Sequence, residues 1–188
     1  TLGKVRFSDL YPGWQNNNVL VNCDAGLIEI DDVKSWKTDI YNIGEFDEMF
    51  DLNTFNLNLS LIAEHSVVNG KRMPSETGNV KAWGAVSGNL EGEILCLFYR
   101  YKSVGGTEYV SDFLIAGKNG ADLQVHHGDS GTVWVWETKD SAGKPKYNPI
   151  ALNWGQHEFF NGTGRNAYSF SLSTSLSNVC RSLDVDLI

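Results

Sequence analysis

The sequence is poor in positive charge and has no basic cluster. Its 188 residues contain 15 Lys and Arg against 23 Asp and Glu, which gives a formal net charge of −8. The longest run of basic residues is the pair Lys71-Arg72. A nucleic-acid-binding domain normally carries a basic stripe or patch, so this composition argues against a nucleic-acid partner.

Cysteine is also scarce. The three cysteines, Cys23, Cys96 and Cys180, are odd in number and widely spaced, without a Cys-x-x-Cys pair or a Cys/His spacing typical of zinc. This pattern predicts free thiols rather than a disulfide framework, and it favours a reducing compartment. We therefore expect a cytoplasmic protein that needs no metal and no cofactor.

Long hydrophobic runs are absent too, since no stretch approaches the roughly 18 apolar residues of a membrane span. We accordingly expect no membrane partner. The chain opens at Thr1 with no signal-peptide pattern. Because Thr1 is not an initiating Met, we expect the N-terminus to be incomplete.

What the sequence does contain is a series of short apolar and aromatic runs between Gly-rich turns. The runs that predict strands are 19–23, 26–30, 94–101, 109–116, 132–136 and 149–154. Segment 69–79 reads as a loop. In 173–188 apolar residues recur close to every 3.6 positions, which predicts one helix with Ser173 or Ser175 as its N-cap. Many short strands and one terminal helix indicate an all-β sandwich or barrel.

The sharpest chemical signal is Gly128-Asp129-Ser130-Gly131. A serine on a tight turn flanked by glycines exposes its hydroxyl, and the backbone N–H groups of Gly128 and Ser130 can converge on the oxyanion of a tetrahedral intermediate. The same four residues also suit an ordinary polar β-turn. The motif alone therefore leaves two interpretations, a nucleophile or a turn.

The segments around this motif resemble the second barrel of trypsin-like serine proteases. Upstream, Gly84, Ser87, Gly88 and Gly92 fit a Gly-x-x-Ser-Gly-x-x-x-Gly pattern found at the opening of that barrel in many bacterial and plant members. Downstream, Asn153-Trp154-Gly155 resembles the strand that lines the substrate cleft in this family.

One branch of the family is closer than the others. Segments 109–117 and 183–188 look like the corresponding parts of the plant narrow-leaf type proteases and their relatives. The resemblance implies a chymotrypsin-like double β-barrel with a C-terminal helix and an incomplete first barrel. It places the remainder of the first barrel and a connecting segment in 1–78, and the second barrel in 79–188.

The resemblance also implies roles for individual residues. Ser130 would be the nucleophile, and Asp24 in Cys23-Asp24-Ala25-Gly26 would be the triad aspartate. The triad histidine is expected upstream of Thr1, because in this family it precedes the aspartate. We expect His65, His126, His127 and His157 to be structural or surface residues. The substrate-binding positions implied are Gln124 at the base of the specificity pocket, with Asn153, Trp154 and Gly155 along the cleft.

Three functions follow as alternatives. The first is a serine endopeptidase that acts on polypeptides, with an N-terminal fragment of the same protein completing its active site. The second is an inactive protease fold that binds peptides in the same cleft. The third is a β-sandwich interaction domain, in which Gly128-Asp129-Ser130-Gly131 is only a turn and Trp134, Trp136 and Trp154 are core or carbohydrate-contacting residues.

Overall fold

The computed structural model describes a large part of the chain, most continuously its C-terminal half. The described residues are 19–21, 25–30, 34, 37, 39–52, 66–68, 71–73, 78–102, 104–106, 108–160 and 167–187. For 19–21, 66–68, 71–73, 160 and 167 only the backbone pairing is described.

Eleven strands and one α-helix occupy these residues. The five short strands are β1 (Val19–Val21), β2 (Asp39–Ile40), β3 (Gly44–Glu45), β4 (Ser66–Val68) and β5 (Lys71–Met73). The six longer strands are β6 (Asn79–Gly84), β7 (Gly88–Lys102), β8 (Glu108–Gly117), β9 (Val133–Lys139), β10 (Pro145–Phe160) and β11 (Ala167–Ser175). The helix is α1 (Leu176–Leu183), and a 3-10 turn (Lys118–Gly120) follows β8.

The six longer strands close into an antiparallel barrel. Going round it, β6 pairs with β7, β7 with β8, β8 with β11, β11 with β10, β10 with β9, and β9 with β6 again. Closure removes the unpaired edges that an open sheet would expose. The strand β1 is added in parallel to the start of β8, while β2–β3 and β4–β5 are separate two-stranded hairpins.

Alternation along the strands fills the barrel interior. In β6 the residues alternate between half-buried and buried, with Val80 and Ala82 pointing inward. The largest fully buried side chains are Trp134, Phe113 and Ile94, each 0% exposed. Burying a side chain of this size contributes about 1.5–3 kcal/mol, so the barrel supplies the main hydrophobic core.

The C-terminal helix packs against the outside of the barrel. It begins after Ser175 and ends at Asp184, whose left-handed backbone (φ 53°) stops the helix. A small apolar cluster joins Ala25 and Val179 with Leu152 of β10. Helix α1 thus packs against both Ala25 and β10, the strand that carries Asn153.

The structure confirms the all-β barrel with a C-terminal helix. Of the two predicted N-cap positions, the structure selects Ser175, and the helix begins at Leu176. Ser173 instead pairs with Asn153 in the β10–β11 ladder. Part of the predicted loop at 69–79 forms β5. The barrel starts at Asn79, whereas the assignment of 1–78 to a first barrel stays a prediction. A sandwich is wrong, since the strands close into one ring.

Candidate active site

Two consecutive tight turns present Ser130 to solvent. In the first, the Asp129 amide donates to the His126 carbonyl at 3.1 Å, with Gly128 at φ 103°. In the second, the Thr132 amide donates to the Asp129 carbonyl at 3.1 Å, with Gly131 at φ 89°. Both glycines therefore occupy left-handed backbone that other residues rarely adopt. We call residues 126–132 the nucleophile turn.

Behind the turn, the side chain of Asp129 is completely buried, at 0% exposure. Its Oδ1 accepts hydrogen bonds from the amides of Val86 at 2.9 Å and Ser87 at 3.1 Å. Its Oδ2 accepts the His126 amide at 2.9 Å and a short hydrogen bond from the Ser87 hydroxyl. One carboxylate thus joins the nucleophile turn to the β6–β7 turn.

These contacts determine the charge state of Asp129. Burial alone would raise the pKa of the carboxyl, but the Ser87 hydroxyl and the amides of His126, Val86 and Ser87 together lower it below its ordinary value. Hydrogen bonds to the charged form outweigh desolvation here. Asp129 is therefore an anion at neutral pH, and its adjacent serine stands on an anchored backbone.

The strand β10 holds the other side of the nucleophile turn. The Gly131 amide donates to the Asn153 carbonyl at 2.8 Å, and the Asn153 amide donates to the Thr132 carbonyl at 2.8 Å. The Asn153 side chain donates from Nδ2 to the Asp129 carbonyl at 3.0 Å. Asn153, which is 3% exposed, thus acts on the turn through its backbone and its side chain.

A buried hydroxyl network orients the Asn153 amide. Ser171 Oγ donates to Asn153 Oδ1 at 2.7 Å, and Trp134 Nε1 donates to Ser171 Oγ at 3.1 Å. The hydroxyls of Ser171 and Ser173 lie 2.8 Å apart. These contacts identify which side-chain end of Asn153 is the oxygen, and they leave its Nδ2 directed at the Asp129 carbonyl. Trp134, for which the sandwich alternative allowed a core or a carbohydrate-contacting role, is a core residue at 0% exposure.

Three groups on the turn are available to a ligand. Ser130 is exposed, and its hydroxyl has no hydrogen-bond partner among the residues described. Within the same ranges, no acceptor receives the backbone N–H of Gly128 or of Ser130. A hydroxyl next to two uncommitted N–H donors is the combination that acyl transfer requires.

The residues predicted to bind substrate lie in two separate segments of the chain. Trp154 and Gly155 follow Asn153 on β10, where a bulge interrupts the β10–β11 register. Trp154 is half-buried and stacks on Tyr101 with ring centroids 6.5 Å apart. A Cβ placed on Gly155 would meet no heavy atom within 4 Å, so the space beside this backbone is open.

Gln124 lies near the β6–β7 turn. It is exposed and has positive φ (53°). Its carbonyl lies 2.9 Å from the Ser87 hydroxyl, and it lines a cleft of about 410 Å³ together with Asp122 and Glu91. Among the described residues, no hydrogen bond joins Gln124 to Asn153, Trp154 or Gly155.

The predicted triad aspartate, Asp24, lies outside the described residues, as does His65. The neighbouring Ala25 is described: it is buried in the cluster that contains Leu152, one residue before Asn153. His126 and His127 are exposed on the nucleophile turn.

His157 belongs to a partly exposed aromatic cluster. Its Nδ1 lies 3.5 Å from the Tyr99 hydroxyl, and its ring stacks on Phe159 with centroids 4.5 Å apart.

Neither a metal site nor a membrane-spanning helix occurs in the part of the chain that the structure describes. No group of three or more His, Cys, Asp or Glu in the described ranges is arranged to hold a metal ion. No helix in the same ranges has the length and apolar character that a membrane crossing requires. Cys96 and Cys180 are free thiols, whereas Cys23 is outside the described residues.

Sequence reasoning missed the contact between Ser87 and Asp129. Both residues stood in recognised patterns, yet the patterns are 42 positions apart and do not indicate that the two side chains meet. It also missed Ser171 under Asn153. The only available signal was the alternation of serines in β11, which places Ser171 and Ser173 on one face of the strand.

The fold and site together define an all-β barrel that presents an exposed serine on a turn flanked by glycines. No family model matches the chain. Over 190 aligned positions it is 39% identical to a protein of Bradyrhizobium tropiciagri named "probable serine protease". The alignment covers 97% of this chain but 22% of that relative, so the chain spans about a fifth of the relative's length. The similarity thus concerns one part of a protein named as a serine protease.

Proposed function

We propose that this chain is the nucleophile-bearing part of a trypsin-like serine endopeptidase. The observation that carries the proposal is the nucleophile turn. Its Ser130 is exposed, and no described residue accepts a hydrogen bond from the backbone N–H of Gly128 or of Ser130. The named relative supports the same chemistry. An ordinary polar turn would not require a buried carboxylate beneath it and a second anchor from Asn153.

The reaction is acyl transfer. A histidine supplied by a longer form of the protein removes the proton of Ser130 Oγ, and Oγ bonds to the carbonyl carbon of the substrate. The N–H groups of Gly128 and Ser130 stabilise the resulting oxyanion. The C–N bond then breaks, and the histidine returns the proton to the leaving amine. Water then takes the place of the amine. The histidine removes a proton from water, the water oxygen bonds to the acyl carbon, the bond between that carbon and Ser130 Oγ breaks, and the histidine returns the proton to Oγ.

Asp24 is the residue we assign to orient that histidine. Asp24 itself lies outside the described residues, and Ala25 is the next residue. Ala25 packs in the cluster that contains Leu152, the neighbour of Asn153, so the chain directly after Asp24 lies against the strand that borders the nucleophile turn. With Ser130, Asp24 would give this chain two of the three triad members.

The polypeptide substrate would run along β10 past Trp154 and Gly155. The open space beside Gly155 admits an extended backbone, and the half-buried ring of Trp154 offers an apolar contact. The Asn153 carbonyl accepts a hydrogen bond from the Gly131 amide. Its second lone pair is left available to the substrate. Gln124 is neutral, so it gives no reason to expect preference for Lys or Arg through a charged partner.

The test is covalent labelling by a fluorophosphonate probe, read by intact mass and peptide mapping. We would compare this chain with a form extended upstream, and include Ser130→Ala in each. We expect labelling of Ser130 in the extended form, abolished by Ser130→Ala, and weaker labelling of the short chain. Absence of labelling in every folded form would refute the endopeptidase and favour the inactive peptide-binding alternative.

A further inference from the structure

The buried carboxylate behind the nucleophile turn is stabilised by hydrogen bonds, with no positively charged partner among the residues described. Its four hydrogen-bond donors are the amides of Val86, Ser87 and His126 and the hydroxyl of Ser87. Among the described residues, no Lys, Arg or other cation forms an ion pair with Asp129. We call Asp129 and these donors the Asp129 latch.

Each oxygen of the carboxylate already has two donors. A carboxylate oxygen offers about two lone-pair positions, so the latch saturates both oxygens. The side chain is also 0% exposed, which leaves no open path to a further partner. The latch is therefore complete as it stands, and an incoming ammonium group would have to displace one of these donors.

Gly84 makes the latch sterically possible. A Cβ placed on Gly84 would lie 2.5 Å from Asp129 Oδ1 and 2.8 Å from its Cγ. Real side chains do not approach so closely, so any other residue at this position would push the carboxylate away from the amides of Val86 and Ser87. Gly84 and Ser87 thus both form the site that receives the Asp129 side chain.

Ser87 contributes more than one contact. Its hydroxyl lies within hydrogen-bond distance of both Asp129 Oδ2 and the Gln124 carbonyl, at 2.9 Å from the latter. The single hydroxyl proton therefore has two acceptors within reach. Because Gln124 and Asp129 lie on either side of the Gly128 amide along the chain, Ser87 holds both ends of the segment that carries one oxyanion donor.

We propose that Ser87 is a positioning residue that holds the nucleophile turn in its reactive shape through the Asp129 latch, in which amide and hydroxyl donors stabilise the carboxylate in place of an α-amino group or a cationic side chain. The proposal rests on the proposed function, since it concerns how Ser130 and the Gly128 amide are oriented. It implies that cutting the chain to expose a new N-terminus is not needed to form the turn. Any requirement for upstream residues then reflects the histidine.

The experiment uses the upstream-extended protein and the kinetics of fluorophosphonate labelling. Saturation kinetics separate the limiting rate of labelling from the apparent affinity for the probe. We expect Ser87→Ala to lower the limiting rate about tenfold or more, with less than about a twofold change in affinity, because the turn loses a hydrogen bond to a charged group. Ser87→Thr keeps the hydroxyl and should recover most of the rate.

Two controls separate positioning from general destabilisation. Ser141→Ala removes a hydroxyl from the exposed β9–β10 turn and should leave the rate unchanged. Acetylation of the N-terminal amine should also leave the wild-type rate unchanged. A wild-type rate in Ser87→Ala, a failure of Ser87→Thr to restore it, or a loss of labelling on acetylation would each overturn the proposal.

Hydrogen exchange keeps the inference testable if the chain proves inactive. Amide exchange of residues 126–132 should accelerate in Ser87→Ala and not in Ser87→Thr, while exchange in β8 stays at the wild-type level. Absence of labelling in wild type with this exchange pattern refutes the endopeptidase alone. Unchanged exchange at 126–132 in Ser87→Ala refutes the latch, whatever the labelling result.

Discussion

Replacing Asp129 by Asn tests the electrostatic balance at the site most directly. The substitution keeps the shape of the side chain but supplies one acceptor oxygen and one donor nitrogen. In the better orientation the oxygen keeps the amides of Val86 and Ser87, which bond to Oδ1 in the native protein. The nitrogen then faces the His126 amide, a second donor, at the position of Oδ2.

The cost follows from counting these groups. A buried N–H without an acceptor costs about 1–3 kcal/mol, and the two retained amide bonds lose the charge that strengthened them. We expect the free energy of unfolding to fall by about 3 kcal/mol at pH 7. For a urea m-value of roughly 2 kcal/mol per M, the midpoint should shift down by about 1.5 M.

Asp140→Asn is the matched control. Asp140 also accepts two backbone amides, those of Ala142 at 2.8 Å and Lys144 at 2.9 Å, but both bond to the same oxygen, Oδ1. Asn can reproduce this arrangement, so we expect a change within about 0.5 kcal/mol. Equal destabilisation by Asp129→Asn and Asp140→Asn would refute the argument that the saturated carboxylate is what matters.

The pH dependence has a definite sign. Because the pKa of Asp129 is lowered in the folded state, its stabilisation is present above the unfolded value of about 3.9 and is lost as pH falls through the folded value. The stability difference between wild type and Asp129→Asn should therefore shrink on acidification from pH 5. A difference that stays constant down to pH 2 would contradict an ionised Asp129.

Three further predictions use other parts of the barrel. Burial raises the pKa of Asp112, so the folded protein should lose stability as pH rises through the pKa of Asp112 in the folded state. In urea unfolding at pH 7, Asp112→Asn should be neutral or stabilising, and a loss above about 2 kcal/mol would contradict this. Gly128→Ala would place a Cβ 2.7 Å from Val86 Cγ2 and should reduce probe labelling tenfold or more. Gly143 also has positive φ, but a Cβ there would meet open space. Gly143→Ala should therefore lower stability by only about 1 kcal/mol and leave labelling unchanged. Trp134→Phe should lower the free energy of unfolding by about 2–3 kcal/mol in the same urea assay, because Trp134 is 0% exposed and donates a hydrogen bond to Ser171. A loss below about 0.5 kcal/mol would show that the site repacks around the smaller ring.

Much of the site could be anticipated from local chemistry. Gly128 and Gly131 flank Ser130, and a serine between two glycines predicts a tight turn whatever the fold around it. The positive φ angles of both glycines agree with that prediction. The helix at the C-terminus was likewise predicted by its 3.6-residue period, with Ser173 or Ser175 as its N-cap. The structure has Ser175 at that position, because Ser173 pairs with Asn153 in the β10–β11 ladder.

The role of Asn153 could not be anticipated in the same way. The family resemblance implied a place for Asn153 along the substrate cleft, and that role stays a prediction. The structure adds that its side chain bonds to the Asp129 carbonyl and to Ser171. The face on which a strand residue points follows from the alternation of its own strand, but its contacts also depend on which strand lies beside it. Only the pairing of β10 with β11 could reveal that partner.

The sequence by itself determined much of the local structure: β1, parts of β7 to β10, the C-terminal helix, and the turn flanked by glycines that carries Ser130. It did not predict β6 or β11, and segment 26–30, which was predicted as a strand, forms none. The correctly predicted elements depend on backbone preferences and short-range periodicity, which act within a few residues. The closure of six strands into a ring and the meeting of Ser87 with Asp129, 42 positions apart, were decided only by the tertiary structure. Such contacts depend on which strands become neighbours, and that choice is made by the burial of the whole core rather than by any one segment.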